Sequence, residues 1–323
     1  MRHNTNRYPH QHHTPYLIKN SSSHWQKCLI SIRNCKIIKL EIHVTPRLNK
    51  DGITLHSKEE FEGMRLAGRL AAEILDMIAP HVVPGARLND LDQLCHDFMI
   101  ANHSVPATLG YKGYPKSSCI SVNHVVCHGI PGSKIPSWKN DKNKRTDDTL
   151  FDGDILNIDV TCILNGWFGD NSRMYIAGDA KPYAKRLIQV THDALMIGID
   201  QVKPGNTFGD IGAAIQNYVE AQKCSVVRDF CGHGLGRVFH SPPNVLHYGR
   251  WGTGPILEEG MFFTIEPMVN LGQPETKVLS DDWTAITRDK SLSAQFEHSL
   301  GVTAEGFELF TESPAGLFHP TQR

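Results

Sequence analysis

No stretch of this 323-residue sequence approaches the roughly 20 consecutive apolar residues that a membrane-spanning helix needs. Nor is there an excess of charge of either sign. Lys and Arg number 33 against 34 Asp and Glu, so nothing points to a specific nucleic acid as partner. The cysteines (Cys28, Cys35, Cys95, Cys119, Cys127, Cys162, Cys224 and Cys231) are scattered, with no CxxC pair among them. That spacing supports neither a zinc ribbon nor a disulfide framework and reads as reduced thiols in a cytosol-like compartment. A chain this long can bury a substantial core as one large domain or two ordinary ones.

Acidic residues are missing from the N-terminal stretch, the first being Glu41. Residues 1 to about 50 are instead rich in His, Asn, Ser, Lys and Arg. An organelle transit peptide has this basic, acid-poor character. A disordered tail, or an upstream extension of the reading frame, has it too. The expected division is therefore an N-terminal extension, 1–50, and a folded domain, 51–323.

Order is expected to begin at "HSKEEFEGMRLAGRLAAEILDMIAP". Ser57 and Glu60 form an S-x-x-E capping box ahead of an apolar series at Phe61, Met64, Ala67, Leu70, Ile74 and Ile78, and Pro80 stops the helix. A repeat is also visible. "VVPGARLNDLDQLCHDFM" (82–99) echoes "VKPGNTFGDIGAAIQNYV" (202–219), each copy following a helical segment and preceding a strand-rich one. Two such copies imply two similar halves; a solenoid would need more. Residues 133–149, "SKIPSWKNDKNKRTDDT", read as a solvated, turn-rich loop without chemistry.

The most informative segment is "DILNIDVTCILNGWFGDNSRMYIAG", 154–178. Leu156, Ile158, Val160, Cys162 and Leu164 alternate with Asn157, Asp159 and Thr161, and Asn165-Gly166 is a type I′ turn pair. A two-residue turn sets Leu164 opposite Trp167 and Asp170 opposite Thr161, which brings Asp159 and Asp170 to one face. Two neighbouring carboxylates repel, and a bound cation resolves the repulsion. A solvent-facing polar stripe is the blander account, but this face lacks the alternating Lys or Arg such a stripe carries. "MFFTIEPMV" places Glu266 amid apolar residues, and "SLSAQFEHSLGVT" reads as an alternating strand holding Glu297. An isolated Glu in an apolar strand usually marks a sheet edge, but two of them, beside the aspartate pair and a histidine in a Gly-rich segment, are harder to dismiss. Four carboxylates and an imidazole from "FCGHGLGRVFHSPPNVLHY" (230–248) make a mixed O/N set suited to one or two divalent transition ions.

The ordered series Asp159, Asp170, His233, Glu266 and Glu297, in the contexts "NIDVT", "NGWFGDNSRMY", "GHGLGR", "TIEP" and "AQFEHS", closely resembles the methionine aminopeptidases, a branch of peptidase family M24. The likeness runs from about 57 to 312. It implies an α/β pita-bread fold, pseudo-two-fold, with a central antiparallel sheet flanked by helices. The short interval from His233 to Glu266 leaves no room for the helical insert of type II enzymes, so the resemblance is to type I. The implied activity is removal of the initiator methionine from peptides and nascent chains, at the ribosome among other places, when the second residue is small.

The resemblance also implies roles. Asp170 and Glu297 bridge two divalent ions, His233 and Glu266 complete one site, and Asp159 completes the other. Cobalt, manganese, iron and zinc all tolerate this set. Glu266 doubles as general base, His240 stabilises the tetrahedral oxyanion, and His128 lies near the peptide nitrogen. Tyr111, Tyr114, Cys119, Phe239 and Trp283 form the methionine side-chain pocket, with Thr161 near the substrate's free amine. Taken alone, either His128 or His240 could be an ordinary structural histidine. An Xaa-Pro aminopeptidase and a non-catalytic pita-bread binding module are the competing readings. A cytoplasmic monomer is expected, or an organellar enzyme if the extension is a transit peptide.

Overall fold

The computed structural model describes residues 46–137 and 145–317. The N-terminal extension up to residue 45, with Cys28 and Cys35, lies outside the described residues, as does the middle of the 133–149 loop. Residues 46–50, read in sequence with the extension, join the fold: Leu55 N–H donates to Arg47 O, and Asn49 Nδ2 donates to Glu258 Oε1 at 2.7 Å.

Helix α1 (Lys58–Ile78) starts and stops where its sequence directs. The Ser57 N–H donates to Glu60 Oε2 at 2.9 Å, and Pro80 falls in a single 3-10 turn, Ala79–His81. The buried face of α1 carries Phe61, Met64, Ala67, Leu70, Ile74 and Ile78, the predicted series. Helix α2 (Leu88–Ala101) and the α1 residues from Leu70 onward share one apolar core with Leu156, Ile158, Val160 and Cys162. Helices α3 (Pro182–Ile199) and α4 (Phe208–Ala221) share a second core, to which Ile155 contributes from the other face of the same strand.

The two halves repeat in detail. Gly85 and Gly205 both take a φ of +92°, open to glycine without steric cost. Their N–H groups donate to Leu150 O and Leu257 O, and the first helical residues Leu88 and Phe208 then donate to Asp148 O and Pro255 O. The Pro-Gly echo in the sequence is thus the same entry into a helix, made twice.

The strand pairs between the helices are antiparallel throughout and fall into four small sheets among the described residues. Strands Asp154–Leu164 and Trp167–Ala177 form the long hairpin in the predicted register, Leu164 opposite Trp167 and Thr161 opposite Asp170, without a bulge. Asn165 (φ +52°) and Gly166 (φ +79°) supply the left-handed turn. In the other half, Phe262–Ile265 pairs with Gly232–Gly234 on one side and His298–Val302 on the other.

Two expectations are corrected. "SLSAQFEHSLGVT" is not one strand but two, Ser293–Gln295 and His298–Val302, broken at Phe296 and Glu297 as the chain passes from one sheet to another. Glu266 follows a strand paired on both sides, so the blander account of a sheet-edge glutamate does not describe it. The 133–149 loop is not wholly solvated. Arg145 is buried in a two-pronged ion pair with Asp154 (2.9 and 2.5 Å), and buried Asp148 accepts from Arg87 Nε and the Asn89 N–H. Charged side chains read as solvated by composition are here paired, which is what permits their burial.

Candidate active site

Each of the two halves contributes a pair of carboxylates from facing strands. In the long hairpin, Asp159 and Asp170 come from facing strands, and the Thr161 hydroxyl donates to Asp170 Oδ1 at 2.8 Å. In the second half, Ile265 pairs with His298 and Met268 with Gln295. That common register sets Glu266 and Glu297 opposite each other, both in the short breaks between strand pieces. Glu297 also bridges to Ser172 of the hairpin, its N–H donating to Ser172 O, and so ties the halves together at the site.

His233 arrives on the Gly232–Gly234 strand. Both flanking glycines are needed: a Cβ at Gly232 would overlap Thr264 O, and one at Gly234 would overlap Pro242 O. His233 Nδ1 lies 3.1 Å from Gly234 O, a group that can only accept. The Nδ1 atom therefore carries a proton, and Nε2 points toward Asp170 Oδ2 (3.4 Å) and Glu266 Oε1 (3.8 Å). Ligand atoms of Asp170, His233 and Glu297 all lie within 4.8 Å of one another.

Electrostatics in this cluster call for added positive charge. Burial, then mutual repulsion, pushes the Asp159 and Glu297 carboxyls well above their usual range and raises Glu266 to about 7. Burial opposes charge on His233, yet its hydrogen bond to Asp170 and the Glu266 charge lift it to about 9. Clustered hard oxygen donors with one imidazole, its Nδ1–H fixed by a carbonyl and its Nε2 aimed inward, match what a divalent transition ion takes. The residues present fit such an ion.

All thirteen sequence-predicted site residues line one cavity of about 380 Å³. His128 (φ +55°) and His240 (φ +61°) hold left-handed backbone that non-glycine residues adopt rarely. The His240 ring lies 4.2 Å from that of His233 and stacks on Tyr111 at 5.2 Å. Burial and the neighbouring His233 push its pKa down to about 4, and burial alone lowers that of His128, so both rings are neutral near pH 7. Tyr114 packs edge-on to Trp283 (5.1 Å), and Phe239 against Tyr111 (5.0 Å). The Tyr114 hydroxyl donates to the backbone, with Gly129 O at 2.9 Å and Ser118 O at 3.1 Å, so the ring alone faces the cavity.

Sequence reasoning missed other wall residues, including Thr108, Lys112, Cys127, Cys231, Met268 and Gln295. Cys127 and Cys231 adjoin or nearly adjoin predicted histidines, a usable signal. It also missed Thr264, which lies two residues before Glu266 and so shares its face on an extended strand. Nothing in the sequence singles out His247, whose buried Nε2 accepts the Glu266 N–H at 3.0 Å.

Residues 62–304 match the model of metallopeptidase family M24. The methionine aminopeptidase of Rickettsia prowazekii is 57% identical over 270 residues, 83% of this chain and 98% of that protein. Its crystal structure superimposes with a TM-score of 0.75, covering 80% of this chain and 100% of that one. The methionine aminopeptidase of Escherichia coli K12 is 50% identical over 261 residues, 80% of this chain and 94% of that protein. The prolidase of Pyrococcus horikoshii, at 18% identity, a TM-score of 0.59, and coverage of 80% of this chain and 63% of that one, shares the fold alone. The chain belongs to metallopeptidase family M24 and, within it, to the methionine aminopeptidases.

Proposed function

We propose that this chain removes N-terminal methionine from peptides and nascent proteins whose second residue is small. The observation that carries the proposal is the convergence in one cavity of Asp159, Asp170, His233, Glu266 and Glu297 with the aromatic and thiol wall. Those five residues hold two divalent ions, drawn from cobalt, manganese, iron or zinc. Bound there, such ions supply Lewis acidity, polarising the scissile carbonyl and acidifying a water molecule.

The remaining steps belong to side chains. Glu266 takes the proton from the attacking water and passes it toward the departing amine. His240, neutral, donates its N–H to the oxyanion that develops on the carbonyl. His128, also neutral, hydrogen-bonds near the peptide nitrogen. The methionine side chain enters among Tyr111, Tyr114, Cys119, Phe239 and Trp283, with Thr161 beside its amine. Burial keeps the Cys119 thiol protonated, so it offers a soft, polarizable surface suited to a thioether. Nascent chains at the ribosome, a cytoplasmic setting and a monomeric enzyme complete the reading. Among the described residues no helix is long and apolar enough to cross a membrane.

The test compares Met-Gly and Xaa-Pro peptides under one set of conditions. Cleavage of Met-Gly with Xaa-Pro left intact supports the proposal. Preferential cleavage of Xaa-Pro assigns the chain a prolidase-like activity, and cleavage of neither assigns it a binding role.

A further inference from the structure

Glu266 is held at three points. Its backbone N–H donates to His247 Nε2 at 3.0 Å, its Oε1 accepts the Thr264 hydroxyl at 2.9 Å, and its Oε2 accepts the Gln295 amide at 3.2 Å. Thr264 also touches a second candidate ligand. Its Oγ1 accepts the His233 N–H at 3.0 Å. A hydroxyl has one proton and two lone pairs. The His233 N–H can only donate, so it occupies a lone pair and leaves the hydroxyl proton for Glu266. Thr264 is fully buried on the Phe262–Ile265 strand, and its β-branched side chain is stiff at χ1, so the backbone sets the position of Oγ1, while the incoming His233 N–H leaves the rotatable hydroxyl proton to turn toward Glu266. The strands meet closely here, since a Cβ on Gly232 would overlap the Thr264 carbonyl.

We propose that Thr264 is a positioning residue that fixes the Glu266 carboxylate relative to His233. It touches neither substrate nor ion; it acts through Glu266, and so rests on the reading of Glu266 as ligand and proton acceptor given above. The terminal torsion of a glutamate is soft, and one oxygen held by a directed donor removes most of that freedom. Loss of the hydroxyl frees Oε1 to turn from the cavity and leaves the His233 N–H buried without a partner. Outer partners of metal-ligating side chains typically matter by about 10–100-fold in affinity or activity.

The test uses the full chain and two substitutions, Thr264→Val, which keeps the shape without the hydroxyl, and Thr264→Ser, which keeps the hydroxyl without the methyl. Three quantities are measured: Mn²⁺ affinity of chelator-stripped protein by calorimetry, kcat and KM on a Met-Ala peptide, and melting temperature. Thr264→Val is expected to bind Mn²⁺ roughly 10-fold more weakly and to lose at least about 10-fold in kcat, with KM little changed. Thr264→Ser is expected to stay within about 3-fold of the parent on both counts. If Thr264→Val does not accumulate as folded protein, Thr264→Cys puts a weak donor at nearly the same volume, and the comparison with Thr264→Ser stands. Parental Mn²⁺ affinity and kcat in Thr264→Val overturn the proposal, as does a Thr264→Ser variant as impaired as Thr264→Val. Should the parent itself release no methionine, the functional reading fails instead, and the calorimetry still reports on Thr264.

Discussion

Cys119 lies directly across the sheet from Asp159. Directly paired residues present their side chains to the same face, so the proposed substrate wall and a carboxylate of the proposed cation site meet at one pair. The thiol is fully buried, and burial together with the Asp159 charge keeps it protonated. A hydroxyl in its place would be a buried polar group facing an apolar side chain. Cys119→Ser is therefore expected to raise KM for Met-Ala peptides by roughly 5–30-fold, with kcat and ion affinity nearly unchanged. Steady-state kinetics beside calorimetry check this, and an unchanged KM would remove Cys119 from the wall.

His240 and Glu266 are expected to fail differently. His240→Ala removes the proposed oxyanion donor and none of the five proposed ligands, so ion content should persist while kcat falls by roughly 10²–10³-fold. Glu266→Gln preserves shape but removes the proposed ligand charge and proton acceptor together. Its kcat should fall further, and its ion content should drop. Metal analysis of both purified variants, beside their kinetics, decides. An ion lost from His240→Ala, or near-normal turnover in Glu266→Gln, reverses the assigned roles.

Arg145 and Asp154 form an ion pair with side chains only 2% and 5% exposed. Asp154 also accepts from Asn123 Nδ2 and the Phe151 N–H, which keep it partly satisfied when the guanidinium is gone. Arg145→Met is expected to cost about 3 kcal/mol of stability, toward the low end for breaking a buried pair. Urea unfolding measures it. A loss below about 0.5 kcal/mol, the range of ordinary surface changes, would mean the pair is not buried in solution.

Part of the site was legible in short-range patterns, while the roles of His128 and His240 and the side-chain pocket came only from the family resemblance. Strict alternation and an Asn-Gly turn fix the register of the long hairpin, and with it the shared face of Asp159 and Asp170. The Pro-Gly repeat gave the two halves because identical helix entries need identical backbone. What escaped depended on partners distant in sequence. The breaks at Glu266 and Glu297 arise where strands change sheets, which alternation cannot show. Arg145 looked like one more solvated charge until Asp154 and the Phe151 ring were placed around it. His247 is a loop residue whose meaning comes from a single hydrogen bond to Glu266, nineteen residues on in the break between two strands.

These carboxylates and His233 are proposed to form an ion-dependent site for removing N-terminal methionine. The most direct measurement is methionine release from Met-Ala and Met-Phe peptides by chelator-stripped protein, before and after stepwise addition of Mn²⁺ or Co²⁺. Release should be absent without added ion, return as it is added, and favour Met-Ala over Met-Phe by a wide margin in kcat/KM. Full release by rigorously ion-free protein, or equal rates on the two peptides, would contradict the account.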